Sequence, residues 1–114
     1  MRAVIRDTGK ELANDLTVAD SLFARMKGLL GVTFLAPGEG IWLRPCKAVH
    51  TFGMRFAIDV VVLDRNRSVL AVINGLKPNR ATAIYRRAST VLELPAHSAV
   101  AAGLSPGDII EMIA

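Results

Sequence analysis

The feature that most limits the possible fold is a series of short apolar segments separated by turn residues. The clearest covers residues 58–63, and others cover residues 3–6, 11–18, 40–44, 68–74, 90–95 and 108–113. Short strands with turn signals between them are typical of sandwiches and barrels, whereas a parallel α/β sheet needs helical crossovers. We therefore predict a mainly β fold, a β-sandwich or a partly closed barrel, with residues 1–114 forming a single domain.

One stretch has the period of a helix instead. Its large apolar residues fall on one helical stripe and are Leu22, Phe23, Met26, Leu29 and Leu30. Asp20 or Ser21 can cap the start, and Gly31 can end the helix. We predict one short α-helix near the N-terminus over about residues 21–30, which packs the side chains of Leu22, Phe23, Met26 and Leu29 onto the sheet.

The composition excludes several classes of protein. Apolar residues make up 52% of the chain and charged residues 21%, so the chain can bury enough apolar surface to fold. The longest apolar runs are far too short to cross a bilayer, and the first residues do not resemble a signal peptide. The single cysteine, Cys46, cannot form an internal disulfide. We expect a cytoplasmic protein with no membrane partner.

The net charge of +4 suggests nucleic-acid binding. The fourteen basic residues are scattered along the chain, however, and aromatic residues are only 5%. Few aromatic rings are therefore present for stacking on bases. Nucleic-acid binding by a basic surface is the least favoured hypothesis.

The side chains best suited to binding or chemistry are concentrated in and just after a loop, within residues 45–59. A polar loop that leads into a rigid apolar strand is a common way to present a site. We predict that the ligand-binding residues are Trp42, Cys46, His50, Thr51, Met54, Arg55, Asp59 and Glu93.

The two carboxylates in this set pose different problems. Strand alternation places Asp59 on the same face as Val61 and Leu63, so its charge must be hydrogen-bonded or paired. Backbone N–H groups of residues 50–55, or Arg55, are the expected partners, and a role as a base or ligand anchor is the alternative. For Glu93 we expect a solvated, edge-facing side chain.

No complete catalytic or metal-binding pattern is present. Cys46 and His50 could form a nucleophile and base, but no third group or oxyanion donor is recognisable. There is no zinc-ligand spacing and no phosphate-binding loop that leads from a strand into a helix. We therefore assign no catalytic residue, metal or cofactor.

Several short motifs together resemble one known family. They are Gly28-Leu29-Leu30-Gly31, Val49-His50-Thr51-Phe52-Gly53-Met54-Arg55 preceded by Cys46, Ile58-Asp59-Val60-Val61, Val91-Leu92-Glu93-Leu94-Pro95-Ala96 and Gly103-Leu104 followed by Gly107-Asp108. This pattern resembles the domain of unknown function 192 family, also called uncharacterised protein family 0127. The resemblance implies a small jelly-roll-like β-sandwich and no established activity. Family members often have Gly where this chain has Arg67 and His97, and Pro in place of Ala57.

Three functions remain open. The leading hypothesis is a non-enzymatic module that binds a small polar ligand, for example a sugar-like one, or a partner protein at the 45–59 loop. The alternative is a hydrolase-like acid/base enzyme that uses His50, Asp59 and Glu93. Convergence of these three side chains at a cleft would favour chemistry, and their dispersal would favour binding. Nucleic-acid binding is the third.

Overall fold

The computed structural model describes the backbone of residues 1–114 and every side chain except that of Phe23. Its strands are β1 (Arg2–Ile5), β2 (Glu11–Ala13), β3 (Asp15–Ala19), β4 (Glu39–Leu43), β5 (Ile58–Leu63), β6 (Val69–Leu76), β7 (Thr90–Pro95) and β8 (Ile110–Ile113). Its helices are α1 (Leu22–Lys27) and α2 (Ser98–Ala102). The mainly β fold predicted from the sequence is confirmed.

The strands form two sheets. The smaller has the order β2-β1-β8, and the larger has the order β3-β4-β7-β5-β6. Strands β3 and β4 run parallel, and the other neighbouring pairs are antiparallel. Strand β7 lies between β4 and β5, so both of its edges are paired, and the two core clusters cover its faces. Its residues 91–94 are therefore buried.

The core has two parts, one on each face of the larger sheet. The first joins the two sheets, since Ile5 and Ile110 of the smaller sheet belong to the same cluster as Leu63 and Leu92 of the larger one. The second lies on the opposite face, around Val60 and its neighbours. Side chains of the 44–57 connection and of the α1 region close this second core. The jelly-roll-like topology that the resemblance implies stays a prediction.

Helix α1 is shorter than predicted. Of the two predicted N-cap residues, Asp20 and Ser21, the structure has Ser21 in that role. The Ser21 Oγ accepts a hydrogen bond from the Ala24 N–H at 3.0 Å. The helix ends at Lys27 because Gly28 has φ 46° and ψ −121°, a conformation open to glycine and strained for other residues. Three strands precede α1 and α2 follows β7, so the prediction of one helix near the N-terminus is wrong.

The predicted packing of α1 is also wrong for two of its side chains. Leu22 and Met26 are 66% and 68% exposed, whereas Leu29, which follows the helix, is buried. Leu22 and Met26 lie on one stripe of the helix, but this stripe borders the cleft between α1 and the 44–57 connection and does not pack on the sheet. The side chain of Phe23, named in the same prediction, lies outside the described part of the chain.

Candidate functional site

A cleft of about 270 Å³ lies between α1 and the first half of the 44–57 connection. Its walls combine apolar and polar side chains. The apolar lining comes from Leu22, Met26, Leu29, Leu30, Leu43, Val49 and Met54. The polar and charged lining comes from Arg25, Lys27, Cys46, Lys47, His50 and Glu93. A volume just under roughly 300 Å³ is at the small end of ligand pockets, so the cleft fits a small molecule.

Glu93 reaches the cleft from the centre of the larger sheet. It lies on β7, paired with Ile41 of β4 and Val60 of β5, and its side chain is only 3% exposed. No described residue donates a hydrogen bond to its carboxyl group, and burial raises the pKa of Glu93 from 4.5 to about 7. The prediction of a solvated, edge-facing Glu93 is therefore wrong. The reason is that β7 is a central strand with two neighbours.

Cys46 and Arg25 lie close to Glu93. The Cys46 Sγ donates to the Ala48 carbonyl oxygen at 3.1 Å. Burial raises the pKa of the Cys46 thiol and the negative charge of Glu93 raises it further, while the Ala48 hydrogen bond and the Arg25 charge lower it. Because the net change is upward, the thiol is a poor nucleophile at neutral pH. This arrangement favours Cys46 as a lining residue over Cys46 as an attacking group.

Arg25 supplies a second unusual group. Its Nη1 donates to the Pro45 carbonyl oxygen at 3.1 Å, which links α1 to the far wall of the cleft. Its Nε is buried and, among the described residues, has no hydrogen-bond partner. The cleft is thus lined by residues that carry an unpaired acceptor, on Glu93, and an unpaired donor, on Arg25.

Thr51 fixes the loop that carries His50. The buried Thr51 hydroxyl donates to the Lys77 carbonyl oxygen at 2.6 Å and accepts from the Arg80 N–H at 2.9 Å. His50 lies next to it, and its Nδ1 accepts from the Phe52 N–H at 3.2 Å. The His50 ring also stacks on the Phe52 ring, with centroids 5.2 Å apart. These contacts hold the imidazole at the edge of the cleft.

Asp59 lies on the opposite face of the sheet from Glu93. The register pairs Asp59 with Leu94, one residue beyond the Val60–Glu93 pair, so the two carboxyl groups point to opposite sides. The two oxygens of Asp59 accept from the backbone N–H groups of Gly75 and Ala99, each at 2.9 Å. Backbone N–H groups do hold Asp59, as expected, but residues 50–55 and Arg55 do not supply them.

The structure divides the predicted site residues into two groups. Cys46, His50, Met54 and Glu93 line the cleft. Trp42, Thr51, Arg55 and Asp59 do not. Trp42 is buried in the core between the sheets, with the Arg44 guanidinium 4.4 Å from its ring centroid, and Arg55 is exposed to solvent.

Sequence reasoning missed the α1 wall of the cleft. Met26 was predicted only to pack on the sheet, and Arg25 and Lys27 lie off the apolar stripe on which that prediction rested. One available signal was the isolated charge of Glu93 within the apolar strand 90–95. A charge on a central strand needs an explanation, and the segment around Gly28 passes close to it. A Cβ atom at position 28 would lie 3.7 Å from the Glu93 Oε1.

The described residues contain no group of three His, Cys, Asp or Glu side chains placed to bind a metal ion. Fold and cleft together define a small, mainly β protein of two sheets with a ligand-sized cleft beside a buried glutamate. The family described as DUF192, an uncharacterized ACR family, matches residues 3–112. The chain belongs to this family.

Two solved structures have the same fold. One is a protein of unknown function from Novosphingobium aromaticivorans, with a TM-score of 0.78 and 19% identity, covering 98% of this chain and 93% of that one. The other is a Sinorhizobium meliloti protein, provisionally described as a transcription regulator, with a TM-score of 0.79 and 22% identity, covering 96% of this chain and 89% of that one. At these identities the likeness concerns the fold alone. No curated protein matches the chain significantly.

Proposed function

We propose that this protein binds a small polar ligand in the cleft between α1 and the 44–57 connection. The observation that carries the proposal is the Glu93 carboxyl group, buried beside the cleft without a hydrogen-bond donor among the described residues. A buried polar group without a hydrogen-bond partner lowers the stability of a protein by about 1–3 kcal/mol, as judged from mutations. A ligand that donates a hydrogen bond would offset this cost.

Asp59, a second buried carboxylate in the same sheet, differs from Glu93 in its hydrogen bonds. Its two oxygens are satisfied by two backbone N–H groups, as is usual for a carboxylate that serves the fold. Glu93 is nearly as buried, with 3% of its surface exposed at the cleft, yet no described residue donates a hydrogen bond to it. This difference supports a ligand-binding role for Glu93.

The chemistry of the cleft limits the ligand class. Glu93 requires a donor and the Arg25 Nε–H requires an acceptor. A hydroxyl group is both, and the apolar wall from Met26 to Leu29 suits the carbon skeleton of the same molecule. A small hydroxylated compound, sugar-like in size and polarity, meets these requirements.

A thermal-shift screen of monosaccharides, polyols and hydroxy acids tests the proposal. We expect at least one compound to raise the melting temperature of the wild-type protein. Glu93→Gln should weaken that binding about tenfold or more, because it replaces an acceptor by a group that also donates. Glu111→Gln changes an exposed glutamate outside the cleft and should bind like wild type. A hit that Glu93→Gln binds unchanged would contradict the role of Glu93.

A second candidate is the acid/base enzyme. The pKa of about 7 at Glu93 favours it, because such a group can both give and take a proton at neutral pH. Asp59 is committed to two backbone N–H groups on the other face of the sheet, so a trio of His50, Asp59 and Glu93 does not converge. Turnover of a cleft ligand by wild type, abolished in Glu93→Gln, would favour the enzyme over the binding module.

We also propose that the sheets form the jelly-roll-like sandwich that the family resemblance implies. The core shared by the two sheets supports this arrangement. A crystal structure in which Ile5 and Leu92 belong to separate cores would contradict it.

A further inference from the structure

We propose that the surface around the cleft docks on an anionic lipid bilayer. Three segments, residues 21–31, 45–57 and 77–88, form this surface, which we call the basic face. They carry eight of the fourteen basic residues and no aspartate or glutamate. The eight are Arg25, Lys27, Lys47, Arg55, Lys77, Arg80, Arg86 and Arg87.

The three segments are in contact with one another. Arg25 of the first segment donates to the Pro45 carbonyl oxygen of the second at 3.1 Å. The Lys47 Nζ of the second donates to the Arg86 carbonyl oxygen of the third at 2.7 Å. The fold therefore brings together three segments whose charges are scattered along the sequence.

Much of this positive charge is uncompensated. Among the described residues, Arg2 and Arg6 form ion pairs with glutamates elsewhere on the surface. On the basic face the described structure gives no such pair, because Arg44, which pairs with Asp20 at 3.5 Å, lies over Trp42 on the other side of the larger sheet. The remaining cations can attract anionic phospholipid head groups, whose negative potential acts on basic residues near the membrane surface.

The same face carries exposed apolar side chains. Five of the eight large apolar residues exposed in the described structure belong to it: Leu22, Met26, Leu30, Phe52 and Ile84. Leu22, Met26 and Leu30 lie at the cleft, and the His50 ring that also lines it stacks on Phe52. Apolar side chains set among basic ones are the pattern of surfaces that insert into the head-group region of a bilayer.

These apolar groups favour a bilayer over a nucleic acid. Leu22, Met26 and Ile84 are aliphatic and cannot stack on bases, and the Phe52 ring is already stacked on His50. A nucleic acid would leave the aliphatic groups in water, whereas lipid would remove them from it. We predicted no membrane partner because no apolar run is long enough to span a bilayer, and docking on the surface departs from that prediction. None of the described helices is long and apolar enough to cross a bilayer, and docking on the surface requires none.

Vesicle co-sedimentation tests the proposal. The probes are vesicles of phosphatidylcholine alone and of phosphatidylcholine with phosphatidylglycerol, each at low and high sodium chloride. We expect about tenfold stronger binding to the anionic vesicles at low salt, and a marked loss at high salt because screening weakens the attraction. Equal binding to both vesicle types, or no binding to either, would overturn the proposal.

Two double variants separate the contributions of charge and apolar contact. Arg86→Gln with Arg87→Gln should weaken binding to anionic vesicles, and Met26→Ser with Ile84→Ser should weaken it without changing its salt dependence. Val100→Ser is a matched control, because Val100 is as exposed as Met26 but lies on α2.

Unchanged vesicle binding by both double variants would overturn the assignment of the basic face. So would tight, salt-sensitive binding of mixed oligonucleotides in the absence of vesicle binding, which would indicate a nucleic-acid partner. The result does not depend on the small-ligand proposal, because these vesicle measurements use the protein without a cleft ligand.

Discussion

Replacing Glu93 with glutamine should change how the stability of the protein depends on pH. Burial raises the pKa of Glu93 from 4.5 to about 7, so the folded protein binds more protons than the unfolded chain between these values. The stability that this group contributes is therefore fully present below pH 4.5 and is lost as the pH rises through about 7. At about 1.4 kcal/mol per pKa unit, the loss amounts to roughly 3 kcal/mol.

Glutamine has a similar shape and does not ionise in this range. Burying the glutamine amide changes the free energy of unfolding by an amount that does not depend on pH. The measurement therefore follows how the difference in free energy of unfolding between Glu93→Gln and wild type changes with pH. From pH 4.5 to pH 8 the free energy of unfolding of Glu93→Gln should rise relative to wild type by roughly 3 kcal/mol.

Urea denaturation at several pH values, monitored by circular dichroism, measures this difference. Glu111→Gln, an exposed glutamate in an ion pair with Arg6, serves as control and should follow the wild-type curve closely. If the curves for wild type and Glu93→Gln run parallel across this range, Glu93 is not held in a desolvated site. Glu93 would then have no unmet need for a hydrogen-bond donor from a ligand.

Three further outcomes follow from the described contacts. Asp59→Asn should lower the free energy of unfolding by about 1–3 kcal/mol in denaturation, because one of two backbone N–H groups loses its acceptor, and unchanged stability would contradict that role. Met26→Ala should change stability by less than about 0.5 kcal/mol, since the side chain is exposed, and a loss several times larger would show that it is packed. Iodoacetamide should alkylate Cys46 faster in Glu93→Gln at mildly alkaline pH, because the negative charge that raises the pKa of the Cys46 thiol is removed. The rate should rise about threefold for each half unit by which that pKa falls. An equal or slower rate would contradict the effect of the Glu93 charge.

The strands could be predicted from the sequence because their signals are local. Ile58–Leu63 and Thr90–Pro95 are apolar segments bounded by turn residues, and the structure places β5 and β7 within those bounds. The order of the strands in the sheets could not be predicted, because it depends on pairing between distant segments. Which strands become neighbours, such as β4 and β5 on either side of β7, depends on this long-range pairing and on no local sequence pattern.

The prediction for Glu93 is wrong because the order of the strands could not be predicted. Alternation correctly separates Glu93 from its neighbours Leu92 and Leu94, but it does not say whether the strand is central or at an edge. At the centre of the sheet the Glu93 carboxyl group is buried, whereas on an edge strand it would be solvated. The same limit applies to Asp59, whose partners Gly75 and Ala99 are distant in the sequence.

Two backbone positions agree with the family pattern. Arg67 and His97 have φ values of 62° and 76°, and they stand where the family resemblance implies glycine. A positive φ is strained for residues with a Cβ atom, so glycine relieves a cost that this chain retains. The family pattern here reflects the backbone rather than the cleft.

An NMR titration of the labelled protein with a compound that stabilises it shows where that compound binds. We expect chemical-shift changes in the Glu93 side-chain carboxyl and in the amides of residues 25–30 and 46–54, which form the cleft. We also expect Glu93→Gln to weaken the binding measured by the titration. Changes confined to the separate cavity between Leu12 and Ser98, with the Glu93 signal unmoved, would contradict the claim that this cleft is the binding site.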